Sequence, residues 1–213
     1  MSDNYEKMSE ALIKGNAEEV LKYTREALDA GNDPWDILDH GLLAGMDVVG
    51  KRFKARKMFI PEVLRCAKAM SESMAVLRPL LSKSETRSAH KMVIGTVKGD
   101  LHDIGKNLVA MSFEGAGFEV INLGIDLPAE RFVEAVKEHK PDLLGISALL
   151  TTTMPQMKVV IDELSKANVR EQVKVIVGGA PVTAEYAEKI GADVYGANMA
   201  TAVEEGKRCL GIA

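Results

Sequence analysis

The sequence predicts an α/β protein in two parts, a helical bundle followed by a doubly wound parallel sheet. Three observations carry this. Up to about residue 82 the apolar spacing is helical throughout, with no convincing period-2 run. The stretch 82–90 is polar, rich in Ser and short of large apolar groups, as in a linker. Beyond it, short β-branched or Leu-rich runs alternate with helical segments, which predicts a parallel sheet covered on both faces.

A first, weaker helix is expected near 4–14. Segment 16–31 places Val20, Leu21, Thr24, Ala27 and Leu28 on one face, with Asn16 as N-cap, Glu19 three residues on and Gly31 as the stop. Asp33-Pro34 opens another helix in the favoured order of cap and N1 proline, carrying Ile37, Leu38, Gly41, Leu42, Gly45, Met46, Val49 and Phe53 toward a core. The last begins at Pro61, where Val63, Ala67, Met70, Met74, Leu77 and Leu81 recur at 4-3-4-3-4 spacing, the seam of a four-helix bundle. In the second part, strands are predicted at Met92–Val97, Val120–Leu123, Leu143–Ser147, Val173–Val177 and Val194–Tyr195. Helices are predicted near 104–115, 128–139, 154–168, 183–190 and 199–210. With right-handed crossovers, five such units fit a flavodoxin-like (Rossmann-like) order 2-1-3-4-5, whose ligand crevice lies outside the carboxyl ends of the first and third strands. The expected domains are 1–86 and 90–213.

Composition narrows the function. The chain has 213 residues, 46% apolar and 27% charged, as in globular proteins, and no apolar run approaches the roughly 18 residues of a membrane span. The polar, acidic opening MSDNYEKMSE is no secretory signal, so a cytoplasmic location is expected. Cys66 and Cys209 are too few and too far apart for a disulfide framework or a thiol zinc site, and read as small buried apolar residues. The net charge is −4, with cations scattered among acids, which argues against a nucleic-acid surface.

The crevice loops hold the candidate chemistry. After the first strand comes Lys98-Gly-Asp-Leu-His-Asp-Ile-Gly105-Lys-Asn, which is no Walker A loop because Asn107 stands where Ser or Thr is required. Asp100 and His102 lie two residues apart, and Gly105 lets the next helix approach closely. A carboxylate bonded to one imidazole nitrogen leaves the other free as a base or metal ligand, although Asp100 or Asp103 would equally serve as a helix cap. After the third strand, Ser147 precedes Thr151-Thr-Thr153, either hydroxyls beside the His102 loop or an ST-turn and N-cap. Gly178-Gly179 and Tyr195-Gly-Ala-Asn198 close the fourth and fifth strands; paired glycines admit a ligand or merely make a tight turn. His40, His90 and His139 have no matching carboxylate motif and read as solvated or structural.

Asp100-x-His102-x-x-Gly105, then Ser147-x-Leu149 with 41 residues between, then Gly178-Gly179, resembles the cobalamin-binding signature of the B12-dependent methyltransferase family. The run from Gly45 to Val63, GMDVVGKRFKARKMFIPEV, is similar to the helical cap module of methionine synthase and of small corrinoid proteins, so nearly the whole chain is covered.

The resemblance implies a cobalamin or related corrinoid cofactor whose cobalt cycles between cob(I)alamin and methylcob(III)alamin. It makes His102 the lower cobalt ligand in place of the cofactor's own base, Asp100 its partner, and Thr153 the hydroxyl that completes the relay, where methionine synthase has Ser. Gly99, Leu101, Asp103, Ile104 and Gly105 would contact the corrinoid. Ser147, Leu149, Thr151, Gly178, Gly179 and the loop around Met199 would line the tunnel for its nucleotide tail. Phe53, Ile60 and Val63 would cover the methyl-bearing face, although periodicity alone makes the cap residues bundle core. The implied function is a methyl carrier between a substrate-specific methyltransferase and a second one acting on a folate or thiol, with a reductive activase as a further partner. A cobalamin-dependent sensor or regulatory module is the alternative. A carbon-skeleton mutase subunit fits worse, because those lack the helical cap.

Overall fold

The computed structural model describes residues 2–81 and 90–212, which fall into two units, residues 1–89 with 111–118 and residues 90–110 with 119–213. Of the predicted linker, only His90 lies within the described residues.

The helical unit contains α1 (Ser2–Ile13), α2 (Ala17–Asp29), α3 (Pro34–Asp36), a π-helical run Ile37–Leu43, α4 (Ala44–Lys54) and α5 (Ile60–Leu81). Asn16 caps α2 by accepting the Glu19 amide at 3.3 Å, and Asp33 caps α3 by accepting the Trp35 amide at 2.8 Å ahead of Pro34. The single helix expected from Asp33 onward is continuous but has π turns at its centre. Its inward residues repeat every four positions (37, 41, 45 and 38, 42), a spacing that drifts around a 3.6-residue turn and stays on one face when wider turns are mixed in. Gly41 and Gly45 let this stretch approach α1: a Cβ at Gly41 would stand 2.4 Å from Met8 Sδ. All six seam residues of α5 are buried, as are Met8, Leu12, Val20 and Leu42 of the same unit. Phe113 and Phe118 meet edge to face at 5.1 Å, and Arg78 donates to the Phe118 carbonyl at 3.3 Å. Cys66 is buried as expected, and burial pushes its thiol pKa up.

The second unit runs β1 (Lys91–Val97), α6 (Ile104–Gly115), β2 (Glu119–Leu127), α7 (Ala129–His139), β3 (Leu143–Ser147), α8 (Pro155–Lys166), a 3-10 turn at Arg170–Gln172, β4 (Lys174–Gly178), α9 (Ala184–Ile190), β5 (Val194–Tyr195) and α10 (Met199–Cys209). The last turn of α6 counts with the helical unit. The five strands are parallel in the order β2-β1-β3-β4-β5, as predicted. The central strands are apolar on both faces, and Val93, Leu144, Val175 and Val177 join Phe132, Met157 and Leu164 from the flanking helices in one core.

Two expectations need correction. β2 runs four residues past Leu123, because an edge strand can carry Asn122 and Gly124 through irregular pairing. Cys209, at the end of α10, is only half-buried. Among the described residues, no helix is long and apolar enough to cross a membrane.

Candidate functional site

The carboxyl ends of β1 and β3 are neighbours, with Thr96 paired to Ser147 and Ser147 to Gly178 across β3 and β4. The β1–α6 loop and the β3–α8 loop therefore leave the sheet side by side. Asp100 sits between them, with its side chain fully buried. Its Oδ1 lies 2.7 Å from His102 Nδ1 and accepts the His102 amide at 3.1 Å. Its Oδ2 accepts Thr153 Oγ1 and the Leu149 amide, both at 2.7 Å, and the Leu150 amide at 3.4 Å.

This cluster sets the charge state. Burial alone would raise the Asp100 pKa, but bonds from Thr153, the Leu149 amide and His102 outweigh it and hold the carboxyl well below the usual carboxylate range. An ionised Asp100 places the imidazole proton on Nδ1, leaving the Nε2 lone pair available. The His102 side chain is 49% exposed, and among the described residues nothing bonds Nε2. Thr96 Oγ1 further anchors the loop by donating to the His102 carbonyl at 3.0 Å.

The loops that carry Asp100 and Thr153 also expose large apolar side chains among polar ones. Leu101 and Ile104 are 68% and 77% exposed, and Ile125, Leu149 and Leu150 are also exposed. Leu101 on the β1–α6 loop, Ile104 at the start of α6, Ile125 near the end of β2 and Leu149 and Leu150 on the β3–α8 loop are thus large apolar side chains left uncovered, of the kind an apolar ligand face would cover. Gly178 and Gly179 complete the edge. Gly179 has φ +140°, and a Cβ there would fall 1.8 Å from the Ala148 carbonyl oxygen, so no side chain fits. Gly99, with φ +81°, gives the β1–α6 loop its turn.

The predicted residues separate as follows. Asp100, His102 and Thr153 are drawn together, with Leu149 donating its amide to Asp100, and Gly178 and Gly179 lie at the neighbouring end of β4. Thr151 is exposed, and Ser147 half-buried. Asp103 accepts from Asn107 Nδ2 at 3.2 Å on the first turn of α6. Met199 is buried at the start of α10, so its side chain packs inward. In the helical unit Val63 is core, Phe53 is half-buried, and Phe59 and Ile60 are 67% and 43% exposed. His90 Nδ1 lies 3.4 Å from the Asp142 carboxylate, a partner that sequence reading did not offer.

Sequence reading also passed over Lys106 and Asp126. Lys106 is buried, and its ammonium donates to the side-chain oxygens of Asn107 and Asn122, each at 2.7 Å. Burial pulls its pKa down while Asp103 pushes it up. Asp126 Oδ1 accepts the Gly99 amide at 2.7 Å.

The residues fit a planar metal macrocycle. Among the described residues no group of three or more His, Cys, Asp or Glu is placed to hold a metal ion, and His102 offers one nitrogen beside exposed apolar side chains. That donor set suits a metal whose other ligands come from an organic ring.

Comparison with known proteins agrees. The family model described as B12 binding domain matches residues 90–204, and a second model with the same description matches residues 5–78. The chain is 44% identical over 208 residues to the trimethylamine corrinoid protein of Methanosarcina barkeri, covering 97% of this chain and 96% of that protein. A cobalamin-binding protein from Desulfitobacterium hafniense DCB-2 superposes with TM-score 0.78 at 31% identity, covering 96% of this chain and 98% of the other. The methanol:cobalamin methyltransferase complex MtaBC from Methanosarcina barkeri gives TM-score 0.83 at 31% identity, covering 96% of this chain and 77% of the matched one.

Proposed function

This chain belongs to the corrinoid proteins built on the B12 binding domain, and from that premise we propose that it is a methyl carrier for separate methyltransferases. The observation that carries the reading is the Asp100–His102 pair, its Nδ1 tied and its Nε2 open, beside exposed apolar side chains.

In this reading a bound corrinoid supplies cobalt that accepts and releases a methyl group. His102 would hold the metal through Nε2. Asp100 keeps the imidazole in the Nδ1–H tautomer, and Thr153 keeps Asp100 ionised and aimed. The Asp100 charge would act on the metal site only through its bond to His102 Nδ1. Leu101, Ile104 and Leu149 would pack against the apolar ring and exclude water, and Gly178 and Gly179 would leave room for the nucleotide tail. On the helical unit, exposed Phe59 and Ile60 have the apolar character that a removable cover for the reactive face requires.

The partners are a substrate-specific methyltransferase that loads the carrier, a second methyltransferase that passes the methyl group to a folate or thiol, and a reductive activase. The donor is chosen by the loading enzyme. A methylated amine is the first to test, because the amine corrinoid protein shares 44% identity with this chain, against 31% for the methanol complex.

The test is turnover. Cobalamin-loaded protein given trimethylamine and a thiol should transfer methyl groups repeatedly only when methyltransferases are added. Multiple turnover by this chain alone would overturn the carrier reading.

A further inference from the structure

The β1–β2 pairing is irregular where it matters to the site. β1 advances three positions from Ile94 to Val97 while β2 advances five from Asn122 to Leu127, so β2 bulges by two residues. Bulges re-aim groups that a regular ladder would consume. Within this one, Gly124 has φ +97° and Asp126 has φ +54°. A glycine adopts such angles freely; Asp126 does so with a side chain, at a steric cost.

The strained turn aims the carboxylate and the amide of Asp126 at the two peptide groups that flank Gly99–Asp100. Its carboxylate Oδ1 accepts the Gly99 amide at 2.7 Å, and its own amide donates to the Asp100 carbonyl at 3.1 Å. The Gly99–Asp100 unit is thus gripped at its leading N–H and its trailing C=O. Gly99 itself has φ +81° and no side chain to restrain it. Asp100 must meet donors from two loops at once, which leaves its main chain little freedom of position.

We propose that Asp126 is a positioning residue for the Asp100–His102 pair: from the bulge of β2 it fixes the main chain from which Asp100 reaches His102, and so sets the direction of the Nε2 lone pair. Its bearing on the cofactor rests on the reading of His102 as lower ligand. A residue that only closed the sheet edge would affect stability and leave the imidazole unchanged.

The full-length protein tests this with Asp126→Gly, which relieves the left-handed strain but removes the carboxylate, and Asp126→Asn, which tolerates that conformation and keeps an acceptor oxygen. Nitrogen NMR of the His102 ring in the apoprotein should show the Nδ1–H tautomer in wild type and Asp126→Asn, and a mixture of tautomers in Asp126→Gly. With cob(II)alamin as probe, Asp126→Gly should bind roughly tenfold more weakly, and Asp126→Asn should match wild type. Wild-type tautomer and affinity in Asp126→Gly, or failure of Asp126→Asn to rescue, would overturn the inference. A wild-type cob(II)alamin spectrum without coupling to a protein nitrogen would instead overturn the ligand reading, and the apoprotein tautomer would still decide for or against Asp126.

Discussion

Thr153 Oγ1 donates to Asp100 Oδ2 at 2.7 Å, joining two loops that lie 53 residues apart in the chain. The same hydroxyl oxygen is 3.0 Å from the Leu150 carbonyl, so its single proton has two acceptors and the charged one is the shorter contact. Thr153→Ser should keep this bond and behave as wild type. Thr153→Val should leave the buried carboxylate one donor short, cost about 1–3 kcal/mol in urea unfolding of the apoprotein, and raise the Asp100 pKa. Equal stability for the Ser and Val variants would show that the hydroxyl is not needed.

Asp100 also predicts a pH dependence. Burial favours its neutral form, but the bonds from Thr153, Leu149 and His102 dominate, so its pKa in the fold lies below the ordinary value of about 3.9. A depressed carboxylate pKa contributes stability that is full above the ordinary value and lost as pH falls through the folded one. The stability advantage of wild-type apoprotein over Asp100→Asn should be constant above about pH 5 and shrink below about pH 4. Unfolding curves across that range check this, and an advantage that grows on acidification would contradict it.

Much of this arrangement is legible in the sequence, and the exceptions have physical causes. The existence of the five strands and the bundle seam follow from periodicity, because core faces must repeat with the element that carries them. Asp100 and His102 stand out because two chemically matched side chains fall on a loop that the topology places at the crevice. Thr153 could not be singled out from Thr151 and Thr152 on local pattern; the resemblance did that, and the 53-residue separation from Asp100 is why. Asp126 is invisible in a one-dimensional reading because its role depends on a bulge defined by pairing with β1. The π turns at Ile37–Leu43 are hidden likewise, since a four-residue repeat reads as an ordinary helix. Met199, expected at the start of a helix and with its loop on the tunnel, does begin α10, behind an Asn198–Thr201 capping pair, and its side chain is buried.

Gly179 should tolerate no side chain. In Gly179→Ala the new Cβ would fall 1.8 Å from the Ala148 carbonyl oxygen on an already unfavourable backbone, so the β4 turn or the end of β3 must shift. Thermal unfolding of the apoprotein should show a loss of roughly 3 kcal/mol or more, and corrinoid binding should fall with it. A stable, binding-competent Gly179→Ala would mean that this edge is far more pliable than its packing indicates.

Leu101 and Ile104 separate binding from folding. Both are more than two-thirds exposed, so Leu101→Ser and Ile104→Ser should change apoprotein stability by no more than about 0.5 kcal/mol. If they bury against the ring, each should weaken cobalamin binding roughly tenfold, about 1.4 kcal/mol. Unchanged affinity in both variants, measured by fluorescence quenching or equilibrium dialysis, would remove both side chains from the site.

The most direct test of the whole reading is electron paramagnetic resonance of the protein loaded with cob(II)alamin, with the histidine ring nitrogens labelled with nitrogen-15. If His102 holds the cobalt from below, the axial superhyperfine pattern of the wild type should change from that of nitrogen-14 to that of nitrogen-15, and the protein-nitrogen coupling should vanish in His102→Ala. A pattern indifferent to the label, with the cofactor's own base still on the metal, would contradict the account.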